Sequence, residues 1–429
     1  MLTRNNPTTY YEGPEGPTGL EYDMAKLFAD ELGVSLTVVV PDTLSELLEG
    51  IKNGSAHIAA AGLTITDERK MDIRFSPGYQ QITEQLIYNV SHRKPKNIAD
   101  IGGDILEVVA DSSHNESLLK LKKKTKGLQW KQNHELESSE LMQLVADEVI
   151  DYTIVDSNEV LLNKRLFLNL RSAFDISEPK TLAWGLHKNH DNSLYLATVK
   201  FFEKIKANGE LDQLIERSYG HVENFDYVGT LLFKRHIASR LPEFTPLFKQ
   251  YAEINDLDWR LLAAMSYQES HWRPKAKSPT GVRGLMMLTK STAKQMGVNR
   301  LSAEGSIKGG AKYYAEMRRR INDEVEYPDR DWMALAAYNV GLYHLRDAQK
   351  ITQQLAGDPN KWNDVKNSLP LLAKRKWYRK TAYGYARGWE PVQYVENIRS
   401  YYDILRWIDE RNTEVEPEPD AFSILPQIP

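Results

Sequence analysis

The stretch LLAAMSYQESHW, from Leu261 to Trp272, places a single carboxylate, Glu269, at the end of an otherwise apolar run. Because a helix turns about 100° per residue, setting Leu261 at 0° puts Met265 near 40° and Glu269 near 80°. Glu269 therefore continues the apolar stripe that must face a core. A partly buried carboxyl group has a raised pKa, which suits a general acid. The alternative is a structural glutamate that pairs with an arginine or caps a neighbouring element.

The serine and histidine beside this glutamate suggest a nucleophile and base, but their spacing argues against it. Ser270 and His271 are adjacent, and adjacent residues of a helix point about 100° apart. They cannot pair as a catalytic serine and histidine.

The composition limits the remaining possibilities. The chain has 429 residues, enough for two or three domains, and a formal net charge of -4, which gives no reason to expect nucleic-acid binding. It has no cysteine, so disulfides, thiolate metal sites and a cysteine nucleophile are excluded. We expect neither a metal nor a cofactor. The sequence contains no apolar run of about 20 residues that would span a membrane.

The first 220 residues or so alternate short apolar strands with amphipathic helices, which predicts an α/β domain with a mostly parallel sheet. EYDMAKLFADELG is a predicted helix that ends at Gly33, and VSLTVVV is the predicted strand after it. The pattern breaks near Ser91 and again near residues 184–189. We therefore predict one domain over 1–224 with two lobes, 1–90 with 186–224, and 91–185.

Helical periods replace strands from about Phe225 onward. We predict an all-α domain over 225–412. The tail at 413–429 is rich in proline and acidic residues, and we expect it to be disordered or loosely docked.

Three further blocks follow Glu269 in the helical half. KSPTGVRGLMML (277–288) contains Ser278, Pro279, Gly281 and Gly284, which predict a tight loop before the chain returns to the core. AAYNVG (336–341) places Tyr338 and Asn339 at the end of a helix. WEPVQYVENI (389–398) places Glu390 and Tyr394 one helical turn apart.

Together these blocks resemble the lytic transglycosylase domain of the soluble-transglycosylase, goose-lysozyme-like type. That family has E-S, S-x-x-G-x-x-G-L-M-Q, A-Y-N-x-G and E-x-x-x-Y-V in this order. Met287 stands where the family has glutamine, which puts details of sugar contact in doubt. The resemblance implies a lysozyme-like fold.

The resemblance also implies an activity on peptidoglycan glycan strands. Glu269 would protonate the β-1,4 oxygen between N-acetylmuramic acid and N-acetylglucosamine, then accept the proton of the muramic C6 hydroxyl as a 1,6-anhydro end forms. Within the E-x-x-x-Y-V match itself the other carboxylate is Glu390, which in the family is usually structural. The implied substrate-binding residues are Ser278, Gly284, Leu285, Met286, Tyr338, Asn339 and Tyr394. Two alternatives stay open, a hydrolytic muramidase and a non-enzymatic peptidoglycan sensor.

A further segment, KWYRKTAYGYARGW (376–389), is dense in aromatic and cationic residues. It either stacks on sugar rings and meets peptide carboxylates, or forms a packed loop.

The first half, above all AGLTITDER (61–69), resembles the family 3 periplasmic amino-acid-binding proteins. The resemblance implies a two-lobed cleft in which Thr64 and Arg69 bind the ligand's α-carboxylate and Asp156 its α-ammonium. Ser112 and Ser113 would supply hydroxyl and N–H groups from the second lobe. An arginine fork suits bidentate carboxylate binding.

The combination of the two halves resembles the membrane-bound lytic murein transglycosylases. It implies a periplasmic enzyme associated with the outer membrane and regulated by a stem peptide or amino acid in the first domain. The first residues, MLTRNNPTTYY, are polar and do not form a signal peptide. We therefore interpret the chain as the mature part of an exported protein.

Overall fold

The structure is a computed structural model that describes residues 1–6, 8–13, 16–220, 227–278 and 281–414. It forms two compact units, Met1–Phe225 and Asp226–Pro429. The last helix extends to Glu414, and most of the predicted tail, 415–429, lies outside the described residues.

The first unit mixes helices and short strands. Its helices are α1 Leu20–Leu32, α2 Leu44–Lys52, α3 Arg69–Asp72, α4 Ser113–Lys122, α5 Ser138–Ala146, α6 Ser157–Asn163, α7 Ser193–Ala207 and α8 Glu210–Tyr219. Its strands are β1 Tyr11–Gly13, β2 Gly16–Thr18, β3 Ile58–Ala59, β4 Ile73–Phe75, β5 Gln80–Ile82, β6 Glu84–Asn89, β7 Leu106–Val109, β8 Lys131–Asn133, β9 Tyr152–Asp156, β10 Leu170–Asp175, β11 Lys180–Leu182 and β12 Gly185–His187.

Strand pairing separates two lobes. The first lobe holds β3-β12-β4 and β11-β5, and the second holds a five-stranded sheet in the order β10-β6-β9-β7-β8. Strand β6 already pairs with β9 and β10, and β11 pairs back with β5. The chain therefore crosses before residue 84 and returns before residue 180, in each case several residues earlier than the predicted bounds of 91 and 185.

Two predictions about strands were wrong. Parallel pairing within the named sheets is limited to β7 with β8 and β9, and the other strand pairs are antiparallel. The run VSLTVVV forms an isolated bridge at Val39 rather than a strand. The helix before it, α1, does end at Gly33, which adopts φ 67 as a left-handed cap.

The core of the first lobe is aromatic. Trp184 is fully buried and contacts Phe201 and Phe202, with ring centroids 5.8 and 4.8 Å away. The carboxyl group of Glu21 lies in this core and accepts hydrogen bonds from the Tyr79 hydroxyl at 2.5 Å, the Trp184 indole at 2.6 Å and the Gly62 amide at 2.7 Å. Burial raises the pKa of Glu21 to about 7 against the opposing effect of these donors.

The second unit is helical, as the sequence predicts. Its helices are α9 Tyr227–Ser239, α10 Leu241–Ile254, α11 Trp259–Ser270, α12 Lys290–Met296, α13 Ala303–Arg320, α14 Asp329–Val340, α15 Leu342–Gln354, α16 Trp362–Ser368, α17 Arg375–Tyr378 and α18 Trp389–Glu414, with a 3-10 turn at Leu369–Ala373. Helix α11 packs against α10 and α18, and α14 packs against α13, α15 and α18.

Helix α11 lies at the centre of this unit, and all residues from Leu261 to Tyr267 are buried. It begins at the cap Asp258, whose carboxylate accepts from the Arg260 amide at 2.8 Å and from the Tyr402 hydroxyl at 2.7 Å. It ends at His271, which adopts φ 51, and Trp272 follows with φ 52. Ser270 is thus the last residue of the helix and His271 its left-handed C-cap.

Candidate active site and candidate ligand cleft

Glu269 lies on the last turn of α11, half-buried at the open end of the apolar stripe. Its Oε1 accepts a hydrogen bond of 2.7 Å from the Tyr394 hydroxyl on α18. Burial raises the pKa of Glu269 to about 7, although the Tyr394 hydrogen bond acts in the opposite direction. Within the described residues, burial and the Tyr394 hydrogen bond account for this shift in pKa, and no second carboxylate contributes to it. A carboxyl group of this kind can donate a proton near neutral pH and take one back.

The predicted loop returns to the core beside this helix. Ser278 Oγ accepts from the Val282 amide at 3.2 Å and thereby closes the loop, whereas Pro279 lies outside the described residues. Gly284 adopts φ +90, and a Cβ there would lie 2.2 Å from the Arg300 carbonyl oxygen. Only glycine fits this position.

Leu285 and Met286 are fully buried, and their backbone groups are held by serines that the sequence reasoning missed. Ser266 donates to the Leu285 carbonyl at 3.2 Å, and Ser306 accepts from the Met286 amide at 3.0 Å. The Gly309-Gly310 pair in α13 is a sequence signal that points to this region. A Cβ at Gly310 would lie 2.6 Å from the Met286 side chain, so the pair permits a close approach.

Tyr338 and Asn339 occupy the last turn of α14, which stops at Gly341 as predicted. The Tyr338 hydroxyl donates to the Met286 carbonyl at 2.9 Å and so links α14 to the loop. Burial, together with the nearby Glu269, raises the pKa of Tyr338 well above its usual value. Tyr313, which the sequence reasoning also missed, lies 5.2 Å from Tyr338 between ring centroids. Asn339 is exposed.

Met287 and Glu390 complete the matched blocks. Met287 is half-buried with φ 44, a left-handed conformation that side chains rarely adopt. Glu390 lies one turn before the buried Tyr394 and forms an ion pair of 2.7 Å with Arg387 near the surface. This pairing agrees with a structural role for Glu390.

In the first unit, Arg69 is buried and anchored by backbone oxygens of both lobes. Its guanidinium donates to the Thr64 carbonyl at 3.2 Å and to the Asp111 carbonyl at 3.0 Å. Its Nε lies 3.7 Å from a carboxylate oxygen of Glu116 on α4. The same oxygen of Glu116 accepts from the Thr66 hydroxyl at 3.0 Å. Glu116 therefore lies where the carboxylate of a bound ligand is expected, and the sequence reasoning did not identify it.

Thr64 and Ser113 meet across the lobes, with the Ser113 hydroxyl 3.3 Å from the Thr64 hydroxyl. Ser112 has a structural role, since its Oγ donates to the Val109 carbonyl at 2.6 Å and caps α4 by accepting from the Asn115 amide. Its predicted ligand contact stays a prediction. A further link between the lobes joins the Ser45 hydroxyl and the Asp111 carboxylate at 2.5 Å.

Asp156 is paired within the protein as well. Its Oδ1 lies 2.9 Å from Nε2 of the buried His114. Burial alone would lower the pKa of His114, but the carboxylates of Asp156, Glu84 and Glu159 together outweigh burial, so the pKa is raised. A ligand ammonium at Asp156 would have to compete with this imidazole.

Glu84, His114 and Asp156 are the described residues best placed to hold a metal ion, because their ligand atoms lie within 4.8 Å of one another. However, Lys180 Nζ lies 2.6 Å from Glu84 Oε1. A lysine ammonium already neutralises this carboxylate, so the arrangement favours an ion-pair network over a metal centre.

Comparisons with known proteins agree with this division into two units. Residues 1–221 match the bacterial extracellular solute-binding proteins, family 3, and residues 246–361 match the transglycosylase SLT domain. Among solved structures, the first unit is similar to a mutant of ArgBP from T. maritima, at 20% identity and a TM-score of 0.47, over 51% of this chain and 93% of that chain.

Relatives of the whole chain are more similar. Membrane-bound lytic murein transglycosylase F of Saccharophagus degradans is 49% identical over 417 residues, which cover 97% of this chain and 83% of that protein. The protein of the same name from Pseudomonas putida strain W619 is 45% identical over 416 residues, which cover 96% of this chain and 86% of that protein.

The fold and the site thus define a lytic transglycosylase with a solute-binding domain attached. The two-lobed α/β unit and the helical lysozyme-like unit are both those expected from the sequence. The chain belongs to the membrane-bound lytic murein transglycosylase F family.

Proposed function

We propose that the helical unit cleaves the β-1,4 bond between N-acetylmuramic acid and N-acetylglucosamine in peptidoglycan and leaves a 1,6-anhydro end. The observation that carries this proposal is Glu269, a half-buried carboxyl group with a pKa of about 7, bonded to Tyr394 at the end of α11. A neutral carboxyl is a proton donor, and its conjugate base is a proton acceptor.

Both steps use this one residue. Glu269 donates its proton to the bridging oxygen as the bond to C1 of the muramic sugar breaks. The C6 hydroxyl of that sugar then attacks C1, and its proton passes to the Glu269 carboxylate. No water is consumed, so the cleavage needs no second carboxylate to activate one, unlike an inverting hydrolase.

The surrounding residues position the carboxyl group and the sugar. Tyr394 holds Glu269, and Tyr338 fixes the loop through the Met286 carbonyl. The backbone of Gly284, Leu285 and Met286 lines the sugar groove in this proposal. Asn339, exposed at the end of α14, and Ser278 contact substrate polar groups.

Digestion of purified sacculi by Glu269→Gln, with mass spectrometry of the products, tests the assignment. We expect the wild type to release 1,6-anhydro ends and the variant to release almost none, because an amide cannot donate the proton. Glu390→Gln is the matched control and keeps most of the activity. Reducing ends from the wild type would indicate a muramidase, and unchanged digestion by Glu269→Gln would remove Glu269 from the mechanism.

We also propose that the first unit binds a stem peptide or an amino acid and thereby regulates cleavage. Thr64, Arg69 and Asp156 support this proposal, since a buried guanidinium and a carboxylate near each other suit a zwitterionic group. Binding would replace two internal pairs, Arg69 with Glu116 and Asp156 with His114. Of these, the pair of Arg69 with Glu116 joins the two lobes, so replacing it gives the ligand a means to shift their opening.

Calorimetry of the whole chain against amino acids and stem peptides, together with turnover with and without each compound, tests this regulation. Arg69→Ala should lose binding, whereas Lys70→Ala, an exposed neighbour, should retain it. Identical turnover under all conditions would contradict regulation.

The location of the enzyme is likewise a proposal. The word membrane-bound in the relatives' names supports peripheral association with the periplasmic face of the outer membrane. No helix in the described ranges has the length and apolar character needed to cross a bilayer. Density-gradient fractionation of cells should recover the protein with outer-membrane markers, and recovery with inner-membrane markers would contradict the proposal.

A further inference from the structure

One surface of the helical unit is not used by the proposed mechanism. We call residues 374–389 the cationic loop, since KRKWYRKTAYGYARGW contains six lysines and arginines, five aromatic residues and no acid. Five of its cations extend along an exposed face from 374 to 380, and Arg387 is exposed near its end.

The backbone of the cationic loop is held in place. The fully buried Asp347 on α15 accepts hydrogen bonds from the Ala382 amide at 3.2 Å and the Tyr383 amide at 2.9 Å. The Ala386 amide donates to the Leu372 carbonyl at 3.2 Å. Burying the Asp347 carboxylate costs desolvation free energy, and its hydrogen bonds to two loop amides offset that cost. This arrangement indicates that the conformation of the loop is important.

Three of the five aromatic side chains of this loop are exposed, and Trp377 and Tyr378 are half-buried. Tyr383, Tyr385 and Trp389 are 51%, 55% and 50% exposed. Tyr383 stacks on the exposed Tyr343, with ring centroids 4.6 Å apart and an interplanar angle of 23°. Exposed aromatic groups on a rigid backbone, next to cations, are typical of a binding surface.

The cationic loop leads directly into the active site. Trp389 is the first residue of α18, and Tyr394, which bonds Glu269, lies five residues further along that helix. At 1.5 Å per residue the separation along the axis is about 7.5 Å. Trp389 and Tyr394 point about 140° apart around the helix, so the proposal takes the bound polymer to pass around the start of α18 on its way to the loop.

We propose that the cationic loop binds the peptide stems of peptidoglycan through their carboxylates, while its aromatic rings stack on the adjoining sugars. This inference rests on the proposed function, because it takes the substrate at Glu269 to be a glycan strand with peptides attached. Guanidinium forks and ammonium groups bind carboxylates, and sugars present apolar faces to aromatic rings. The surface thus favours strands that carry peptides over bare glycan.

Binding is best measured in a Glu269→Gln background, where substrate is not consumed. The test variant adds Lys376→Gln, Arg379→Gln and Lys380→Gln. The control adds Lys123→Gln, Lys124→Gln and Lys126→Gln, exposed lysines of the first unit, and changes the net charge equally. Pull-down with intact sacculi is compared with sacculi whose peptides an amidase has removed.

We expect the loop variant to bind intact sacculi about 3- to 10-fold more weakly, since exposed ion pairs contribute modestly and three are lost. Its binding to stripped glycan should match the control, and the difference should shrink at high salt. Tyr383→Ser with Tyr385→Ser should weaken binding to both materials.

Two results would overturn the inference. One is equal binding of the loop variant and the control to intact sacculi. The other is unchanged sacculus binding together with lost binding to anionic phospholipid vesicles, which would assign the surface to a membrane. Failure of the proposed function is separate, because it would appear as retained digestion by Glu269→Gln alone.

Discussion

The carboxyl groups of Glu21 in the first unit and Glu269 in the second both have a pKa raised by burial to about 7. Glu21 is fully buried and accepts three hydrogen bonds from fixed donors. Glu269 is half-buried and accepts one, from Tyr394. Glu21 has about one acceptor position left and is closed to any ligand by burial, whereas Glu269 is partly exposed and has about three positions left. The raised pKa alone does not separate a structural acid from a catalytic acid; access and unused hydrogen-bonding capacity do.

The largest expected difference between the two glutamates is in turnover. Glu269→Gln should lower the rate of sacculus digestion by about 100- to 10,000-fold, the range for loss of a general acid. Glu21→Gln should leave digestion near the wild-type rate, because Glu21 belongs to the first unit and an amide oxygen in the place of Oε1 can still accept from the Tyr79 hydroxyl and the Gly62 amide. Release of soluble muropeptides measures both. Equal losses of digestion rate in Glu269→Gln and Glu21→Gln would contradict the distinction between a catalytic and a structural glutamate.

The pH dependence of folding stability should change in Glu21→Gln. The pKa of Glu21 is higher in the folded protein than its ordinary value, so the stabilisation is complete below about pH 4.5 and is lost as pH rises through about 7. The full effect is on the order of 3 kcal/mol. Glu21→Gln removes this dependence, and calorimetric unfolding at pH 5 and pH 8 should show a smaller change in Tm than in the wild type. An unchanged pH dependence would mean that Glu21 titrates as it does in water.

A smaller effect is expected at the hydrogen bond to Glu269. Tyr394→Phe removes a donor that stabilises the ionised carboxylate, so the pKa of Glu269 should rise further above about 7. Activity requires the neutral acid and falls above its pKa, so the alkaline limb of the pH–rate profile should move to higher pH. Turnover should fall about 10-fold through lost positioning. A profile that stays in place while turnover falls would show that Tyr394 acts only through packing.

The smallest expected effect is at the loop 284–286, which lines the sugar groove in the proposed function. Ser306→Ala leaves the buried Met286 amide without its acceptor, which should cost about 1 kcal/mol of unfolding free energy. Ser239→Ala, at an exposed serine bonded to the Arg235 carbonyl, is the control and should have little effect. Urea unfolding of the two variants compares them, and equal stability would assign no role to Ser306.

The helices of the second unit were easier to predict than the contacts of the cleft because their information is local. The 3.6-residue period put Glu269 on the stripe of Leu261 and Met265, and AAYNVG indicated the end of α14. The cleft depends on contacts between distant segments. Glu116 beside Arg69 and His114 beside Asp156 arise from lobe geometry that no local pattern encodes.

The prediction of strand pairing was wrong because pairing, too, depends on contacts between distant segments. VSLTVVV has a strand-like composition, yet only Val39 forms a bridge, because pairing requires a neighbour with free backbone groups at the right edge. The lobe crossings also depend on which sheet accepts β6 and β11, a choice made by tertiary packing. Helix periods carry no information about that choice.

Helix ends normally fray, and Glu269 lies on the final turn of α11. Here the end of α11 is held by hydrogen bonds from two residues outside the helix. The Trp272 indole donates to the Ala263 carbonyl at 2.9 Å, and the Arg240 guanidinium donates to the His271 carbonyl at 2.8 Å. The amide protons of this turn should therefore exchange with solvent as slowly as those of a helix interior. Glu269 thus lies at a helix end without the fluctuations that such a position usually brings.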